Sequence, residues 1–171
     1  YFTEISNGFI RLDEDESKHL QLVLRHKPGN LIHLLNGNGL KVEGFLHATD
    51  KKGVTIKVEK TVLFPKKDFQ LHVAIGLTKQ MERFEWFLEK ATELGIDSIT
   101  PFTSTHGERD KLRMDRLEKI IRTAGKQSAN PNFPKLNELI SFQELINSST
   151  EKNKYIAHLD QSRKGHFYDA I

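Results

Sequence analysis

The sequence contains no cysteine among its 171 residues, so disulfide bonds, thiolate zinc sites and covalent cysteine chemistry are excluded. This absence fits a reducing compartment. No apolar run approaches the roughly 20 residues of a membrane span, and we expect no signal peptide. Charged residues make up 29% of the chain and hydrophobic residues 37%, which indicates a soluble globular protein. The net charge of +3 permits nucleic-acid binding without requiring it.

The common sequence motifs for nucleotide, nucleophile and metal sites are also missing. Neither GxxxxGK[ST] nor GxGxxG occurs, and Gly37 and Gly39 lie in a predicted hairpin rather than in a strand-to-helix turn. The GxSxG nucleophile elbow is absent as well. The eight histidines are scattered, and of the three that lie seven residues apart, His33 falls in a predicted strand. We therefore expect no metal site.

The first 67 residues predict a small domain of short strands separated by turns. A strand over 9–12 leads into a helix whose first turn is acidic, which the positive end of a helix dipole favours. Further strands are predicted over 31–35, 41–49 and 54–60. This many strands in so few residues predicts a closed or partly closed β-barrel. The segment 64–68 is typical of a linker, so we place the domain boundary near residue 67.

The next part of the chain predicts a β–α–β unit. Residues 71–77 form an almost unbroken apolar run, which is typical of a strand buried on both faces. From Lys79 to Leu94 the apolar residues follow helical spacing, with Leu94 among the inward ones, and Gly95 marks the helix end. Strand character resumes over 96–102. The unit predicts a parallel sheet, in which ligands bind at the carboxyl ends of the strands.

Cationic side chains are concentrated on two of the predicted helices. The first helix carries a stripe in which an indole separates the cations: Lys79, Arg83, Trp86 and Lys90. The second helix, around residues 113–126, has five basic residues against two acidic ones, and we expect Gly125 to weaken its end. Such stripes suit a polyanion with stackable bases. An ordinary solvated face, on which lysines pair with glutamates, remains the alternative.

The N-terminal region has a basic cluster of its own at the end of its helix, formed by Lys18, His19, Arg25, His26 and Lys27. The cluster is consistent with phosphate contacts. It is equally consistent with a solvated helix terminus, where cations meet the negative end of the dipole. Both interpretations stay open at this point. Near the other end of the sequence, Ser141 and Glu144 have the spacing of a capping box, which predicts a short helix.

Four phrases of the sequence resemble those of a known family. They are RFEWFLEKATELGIDSITPF, the basic helix RLEKIIRTAGKQS and, in the N-terminal region, ESKHLQLVLRHKPGN and LLNGNG. In content and order they resemble the RsmE-type 16S ribosomal RNA uracil-N3-methyltransferases of the SPOUT superfamily. The resemblance extends over nearly the whole chain.

The resemblance implies an α+β two-domain fold. A PUA-like RNA-binding β-barrel over 1–67 would precede a SPOUT α/β-knot methyltransferase domain over 68–171, which is incomplete at its C-terminus. The implied activity is methylation of N3 of a uridine in 16S ribosomal RNA, with S-adenosyl-L-methionine as the donor. The expected protein is a cytoplasmic homodimer that binds the small ribosomal subunit and uses neither a metal nor a membrane. If the chain ends at Ile171, the alternative is a non-enzymatic RNA-binding or ribosome-assembly protein.

The same resemblance implies roles for single residues. RNA contacts are expected from cations of both domains: Arg25, Lys27, Arg83, Lys90, Arg109, Arg122 and Lys126. Glu93 and Gln127 are expected to support the cleft, and His158 and Leu159, at the end of a strand predicted over 154–159, to contact the cofactor. The family's glycine-rich cofactor loop does not occur, and Asn130 stands where many members have an arginine. No catalytic base is assigned.

Overall fold

The computed structural model describes residues 1–51, 53–104 and 111–157. In its N-terminal part, four antiparallel strands form a sheet in the order β1-β4-β3-β2. Their bounds are Phe9–Arg11 (β1), Leu31–Leu35 (β2), Leu40–Asp50 (β3) and Gly53–Leu63 (β4). The backbone N–H of Phe2 donates to Leu35 at 3.1 Å, so the segment before β1 reaches the β2 edge. The sheet is therefore a partly closed barrel.

Period-two alternation explains why these residues form strands around one core. Ile10, Val42, Leu46 and Ile56 point inward and are almost fully buried. The helix α1 spans Glu14–Lys18 and continues as a π-helical turn over His19–Val23. Its cap is the side chain of Asp13, which accepts a hydrogen bond from the Glu16 N–H at 2.8 Å. Sequence patterning thus predicted both the helix and the strands of this domain.

The C-terminal part contains the predicted β–α–β unit. Strand β5 (His72–Gly76) runs parallel to β6 (Ser98–Thr103), and helix α2 (Met81–Leu94) connects them. Gly95 closes α2 in the left-handed conformation with φ 78°, as its position predicted. Helix α3 (Met114–Gln127) packs beside α2, and Phe84, Leu88, Ile99, Leu117 and Ile121 form the core between them and the sheet.

Two short strands that the sequence did not predict also belong to this sheet. They are β7 (Lys135–Leu136) and β8 (Ile140–Ser141), and both pair in parallel with β6. Pro101 of β6 lies between the residues that pair with β7 and those that pair with β8. Its missing N–H therefore interrupts neither of these two pairings. Helix α4 (Phe142–Ser148) follows, and its capping box between Ser141 and Glu144 is confirmed.

Two predictions from the pattern are wrong, and they concern Leu94 and residues 154–157. Leu94 is 78% exposed because it ends α2 and lies beyond the core. Gly125 lies near the end of α3 at Gln127, and its weakening of that end stays a prediction; its missing side chain makes room for the Phe133 ring. Residues 154–157 lie outside any strand and are exposed, although their apolar pattern predicted one. The remainder of that predicted strand, with His158 and Leu159, lies outside the described residues.

The N-terminal and C-terminal parts of the chain contact each other through aromatic rings, a backbone hydrogen bond and an ion pair. The Tyr1 and Phe133 rings stack with centroids 6.0 Å apart, and Phe133 N–H donates to the Gly37 carbonyl at 2.8 Å. Lys126 of α3 binds Glu16 of α1 at 2.6 Å. Strand β4 ends before the predicted boundary at residue 67 and β5 begins after it. No helix within the described ranges is long and apolar enough to span a membrane.

Candidate functional site

The carboxyl edge of the parallel sheet is the first candidate surface. Strands β5 and β6 end there, and Ser141 of β8 pairs with Thr103. The Phe102 ring lies 3.3 Å from the position that a Cβ of Gly76 would occupy, so glycine permits this close approach. On its other side Phe102 contacts the partly exposed ring of Phe142, with centroids 5.4 Å apart. The edge therefore offers an aromatic surface beside hydroxyl groups.

Few of the predicted site residues can be placed at this edge. Arg83 lies in the first turn of α2, where its N–H donates to the Gln80 carbonyl at 3.3 Å. Arg109, His158 and Leu159 lie outside the described residues. Their predicted contacts with RNA or cofactor stay predictions.

Further along α2, the predicted cationic stripe is partly neutralised. The exposed Trp86 lies on this helix, as the stripe requires. Lys90, however, donates to Glu89 at 2.8 Å and to Glu93 at 3.0 Å. These hydrogen bonds raise the pKa of Lys90 above its ordinary value, and the bond that Lys90 donates to Glu89 has the larger effect. The alternative of a solvated face with paired lysines describes this turn of α2, and Glu93 supports Lys90 directly.

Arg122 and Lys126 of α3 face the N-terminal domain. The Arg122 guanidinium lies 5.0 Å above the Tyr1 ring, and the Lys126 ammonium contacts Glu16. Gln127 lines a shallow pocket of about 270 Å³ together with Arg116 and with Lys119, which also contacts Asp15 of α1. Arg122 and Lys126 therefore join the two domains, and RNA would have to share or displace these contacts.

Arg25 and Lys27 lie in the loop between the π-helical turn and β2. Arg25 adopts the left-handed region with φ 54°, which is uncommon for a residue with a side chain. Asn30 fixes the loop because its side chain accepts from the Lys27 N–H at 2.8 Å. Within the described ranges, no carboxylate lies within 4 Å of either cation. These two residues thus carry charge that is free to meet an anion.

Sequence reasoning missed a groove of about 970 Å³ at the opposite, amino-terminal end of the sheet. Its wall contains a chain of hydrogen bonds: Glu151 contacts His72 Nδ1 at 2.5 Å, and His72 Nε2 contacts the Thr100 hydroxyl at 2.7 Å. The bond to His72 is the main cause that lowers the pKa of Glu151 to about 2. No local pattern could reveal this contact, because His72 and Glu151 are 79 residues apart.

The groove has a mixed electrostatic character. Lys67 donates to the Gly95 carbonyl at 3.0 Å, and Asp97 accepts from the Leu71 N–H at 2.9 Å. Lys67 and Asp97 are therefore engaged in holding neighbouring segments of the chain in place. In the part of the chain that the structure describes, no three histidine, aspartate or glutamate side chains converge in a way that could hold a metal ion.

A partly closed β-domain with free cations, joined to a parallel α/β domain, is compatible with RNA binding beside a second, α/β function. The chain belongs to the RNA methyltransferase family: the family's RNA methyltransferase domain matches residues 65–170, and its RNA methyltransferase PUA domain matches residues 12–59. The predicted two-domain fold class and the predicted family are confirmed. The chain carries an RNA methyltransferase domain.

Curated relatives agree with this assignment. The chain is 25% identical over 177 residues to ribosomal RNA small subunit methyltransferase E of Bacillus subtilis, covering 96% of this chain and 69% of the relative. The relative of the same name from Rickettsia conorii is 23% identical, and the chain spans 61% of its length. The chain thus spans roughly two thirds of the length of the relatives that it matches.

Solved structures are similar over most of this chain. A probable rRNA-methyltransferase from Porphyromonas gingivalis is 33% identical, with a TM-score of 0.76, covering 91% of this chain and 66% of that one. A putative methyltransferase of Legionella pneumophila, solved with bound S-adenosylmethionine, has a TM-score of 0.79 at 22% identity. That alignment covers 94% of this chain and 69% of the other, and at this identity it shows a shared fold.

Proposed function

We propose that this protein methylates N3 of a uridine in 16S ribosomal RNA, with S-adenosyl-L-methionine as the methyl donor. The observation that carries the proposal is the match of both family domains in their order along one chain. The names of the curated relatives support ribosomal RNA of the small subunit as the substrate. The free cations Arg25 and Lys27 support a role of the N-terminal domain in holding RNA phosphates.

The carboxyl edge of the parallel sheet fits the proposed cofactor. Adenine requires a flat apolar surface with a few polar groups around it, and the Phe102–Phe142 pair beside Thr103 and Ser141 has this chemistry. When bound, the cofactor supplies an electrophilic methyl group on sulfur. The contacts of His158 and Leu159 with the cofactor, which lie outside the described residues, remain part of the proposal.

The sequence also fits the proposed position of methylation. N3 would give its proton to a base and bond to the methyl carbon through its own electron pair, while the sulfur–methyl bond would break and S-adenosylhomocysteine would leave, so no covalent adduct with a cysteine is needed. Methylation at carbon 5 would require such an adduct, and this chain contains no cysteine. As N3 loses its proton, negative charge spreads onto the two uracil carbonyls. Positioning and stabilisation of that charge would then supply much of the rate, and Arg83 is the predicted cation near the site.

Methyl transfer to small ribosomal subunits tests the proposal. The purified protein is incubated with S-adenosylmethionine, labelled in its methyl group, and with subunits that lack the modification. Nucleosides from the digested RNA are then separated by chromatography and identified by mass spectrometry. We expect label in 3-methyluridine and a stop of reverse transcription at one uridine, because a methyl group on N3 blocks base pairing.

A matched pair of variants separates RNA capture from chemistry. Arg25→Gln combined with Lys27→Gln should weaken binding of the subunit, with little change in the rate at saturating RNA. Arg83→Gln should lower the saturated rate. Label in 5-methyluridine, or an absence of label while the subunit is bound, would contradict the proposed reaction. A cytoplasmic homodimer also remains part of the proposal, and sedimentation of the pure protein tests the dimer.

A further inference from the structure

The outer face of the N-terminal sheet carries a row of side chains that runs across all four strands. Phe9 of β1 is in register with Lys57 of β4, Lys57 with Phe45 of β3, and Phe45 with Leu31 of β2. Neighbouring strands are about 4.8 Å apart, so the row is about 15 Å long. Because strand side chains alternate between faces, this row projects away from the buried core. We call these four residues the outer row.

The outer row is accessible and rich in aromatic surface. Phe45 is 40% exposed although its neighbours along β3 are buried. The register of β3 shifts between Leu46 and Ala48, which leaves His47 without a partner in the ladder. The His47 ring meets Phe9 with centroids 5.2 Å apart and planes tilted by 55°. Bulges of this kind often re-aim side chains beside binding sites.

Positive charge lies in the middle of the outer row. Lys57 is exposed, and in the described part of the chain no carboxylate lies within 4 Å of it. Two acidic side chains near this face have basic partners: Asp50 binds Arg11 at 2.7 Å, and Glu43 lies 3.7 Å from the His33 ring nitrogen. Of the charged side chains named in this paragraph, Lys57 is the one without a close partner, so it can interact with an incoming anion.

The loop with the free cations adjoins the same face. Gly29 N–H donates to the Leu46 carbonyl at 2.8 Å, and Leu46 N–H donates to the Asn30 carbonyl at 2.9 Å. These bonds hold the loop against β3 next to Phe45, directly before Leu31. Arg25 and Lys27 belong to the loop that leads into Leu31, the β2 residue of the outer row. Aromatic rings and unpaired cations are thus neighbouring features of the N-terminal domain.

We propose that the outer row, with His47, is a stacking platform for two or three unpaired nucleotides of single-stranded RNA. Exposed aromatic rings on a sheet stack with bases, while nearby cations hold the phosphates. A second copy of the chain suits this surface less well, because it would desolvate the unpaired Lys57. The proposal rests on the proposed function, since it names the part of the chain that holds the RNA substrate.

Binding of a short RNA with a fluorescent base tests the platform. The probe is a single-stranded oligonucleotide of about ten nucleotides with 2-aminopurine inside it, whose fluorescence falls when the base stacks. Phe45→Ala should weaken binding about tenfold and abolish the fluorescence loss, since one stacked base contributes about 1–3 kcal/mol. Phe45→Tyr keeps the ring and should bind within about twofold of the unchanged protein, by the same rule.

The matched control is Phe69→Ala, because Phe69 is an equally bulky ring that is 66% exposed but lies outside the N-terminal sheet. It should leave both affinity and fluorescence unchanged. Thermal unfolding of each variant checks that the fold is retained. Lys57→Gln should weaken binding less than Phe45→Ala does and should lower its salt dependence.

The outcomes separate this inference from the proposed function. If Phe45→Ala binds as the unchanged protein does, or if the fluorescence is never lost, the platform is wrong while methyl transfer to the subunit can still succeed. If the protein neither binds the probe nor methylates the subunit, both proposals fail. If Phe45→Ala abolishes self-association in sedimentation and leaves RNA binding intact, the surface is a contact between copies and the platform is overturned.

Discussion

Lys126 Nζ lies 2.6 Å from Glu16 Oε1 and so joins the last turn of α3 to the helix of the N-terminal domain. Both side chains are mostly covered, with 35% and 16% of their surfaces exposed. The neighbouring pair between Lys119 and Asp15 connects the same two helices at 3.2 Å, but it is exposed. The two bridges differ in burial. Comparing their coupling energies therefore shows how much burial contributes to the strength of a bridge between the domains.

A double-mutant cycle between Glu16→Gln and Lys126→Met should give a coupling energy of about 1–2 kcal/mol, because the pair is charged and partly desolvated. The exposed pair, tested with Asp15→Asn and Lys119→Met, should give less than about 0.5 kcal/mol. Urea unfolding of the whole chain measures both. Equal coupling energies for the two pairs would contradict the importance of burial here.

The Glu16 bridge should also make stability depend on pH. Burial of Glu16 opposes its ionisation, but the hydrogen bond from Lys126 and the positive charges of the Tyr1 amino group and of Lys126 together outweigh this effect and lower its pKa. A carboxyl group with a lowered pKa stabilises the fold fully above its unfolded pKa of about 4.3 and loses this contribution as pH falls. The free energy of unfolding should therefore decline below about pH 5, and less so in Glu16→Gln.

Gly125→Ala should destabilise the protein by about 1–2 kcal/mol, because an overpacking cost of up to about 3 kcal/mol exceeds the roughly 1 kcal/mol by which alanine favours helices over glycine. The reason is steric: a Cβ at this position would lie 2.1 Å from a ring carbon of Phe133. Phe133→Leu alone should cost less, and Gly125→Ala combined with it should recover part of the loss. Thermal unfolding measures all three variants. A neutral Gly125→Ala would show that the ring can move aside.

The Gly125 contact illustrates what the sequence could and could not predict. Local rules placed the strand over 31–35, the left-handed cap at Gly95 and the capping box at Ser141, because each depends on residues within a few positions of one another. The strands β7 and β8 could not be predicted, because a strand of two residues is too short to show an alternating pattern of apolar and polar residues. The four sequence segments that resemble the known family predicted the methyltransferase fold, because together they extend over nearly the whole chain.

The candidate surfaces were harder to predict for a related reason. A cationic stripe on a helix indicates charge but not its partners, and Lys90 proves to be held by Glu89 and Glu93. Likewise, the outer row comes from cross-strand register, which joins Phe9, Lys57 and Phe45 over 48 positions of sequence. Periodicity within one strand shows which residues face outward, but it cannot show which of them become neighbours.

His72→Gln should raise the pKa of the Glu151 carboxyl from about 2 toward its ordinary value, because the bond from His72 is the main cause of the lowering. Carbon-13 NMR titration of the glutamate carboxyls measures the change. Glu144 is the internal control: its pKa is lowered by the Ser141 backbone N–H, and it should not respond to His72→Gln. An unchanged Glu151 titration would show that the contact with the sheet is not maintained in solution.

The salt dependence of RNA binding should distinguish the free cations from the paired one. Each phosphate contact on a single strand contributes about 0.7 to the slope of log affinity against log salt, because a counterion is released. Arg25→Gln with Lys27→Gln should therefore reduce the slope by about 1.4. Lys90→Gln should change it little, since Glu89 and Glu93 already offset that charge. Anisotropy titrations at several salt concentrations measure these slopes. A larger loss for Lys90→Gln than for the double variant would mean that RNA displaces the glutamates and binds along α2 instead.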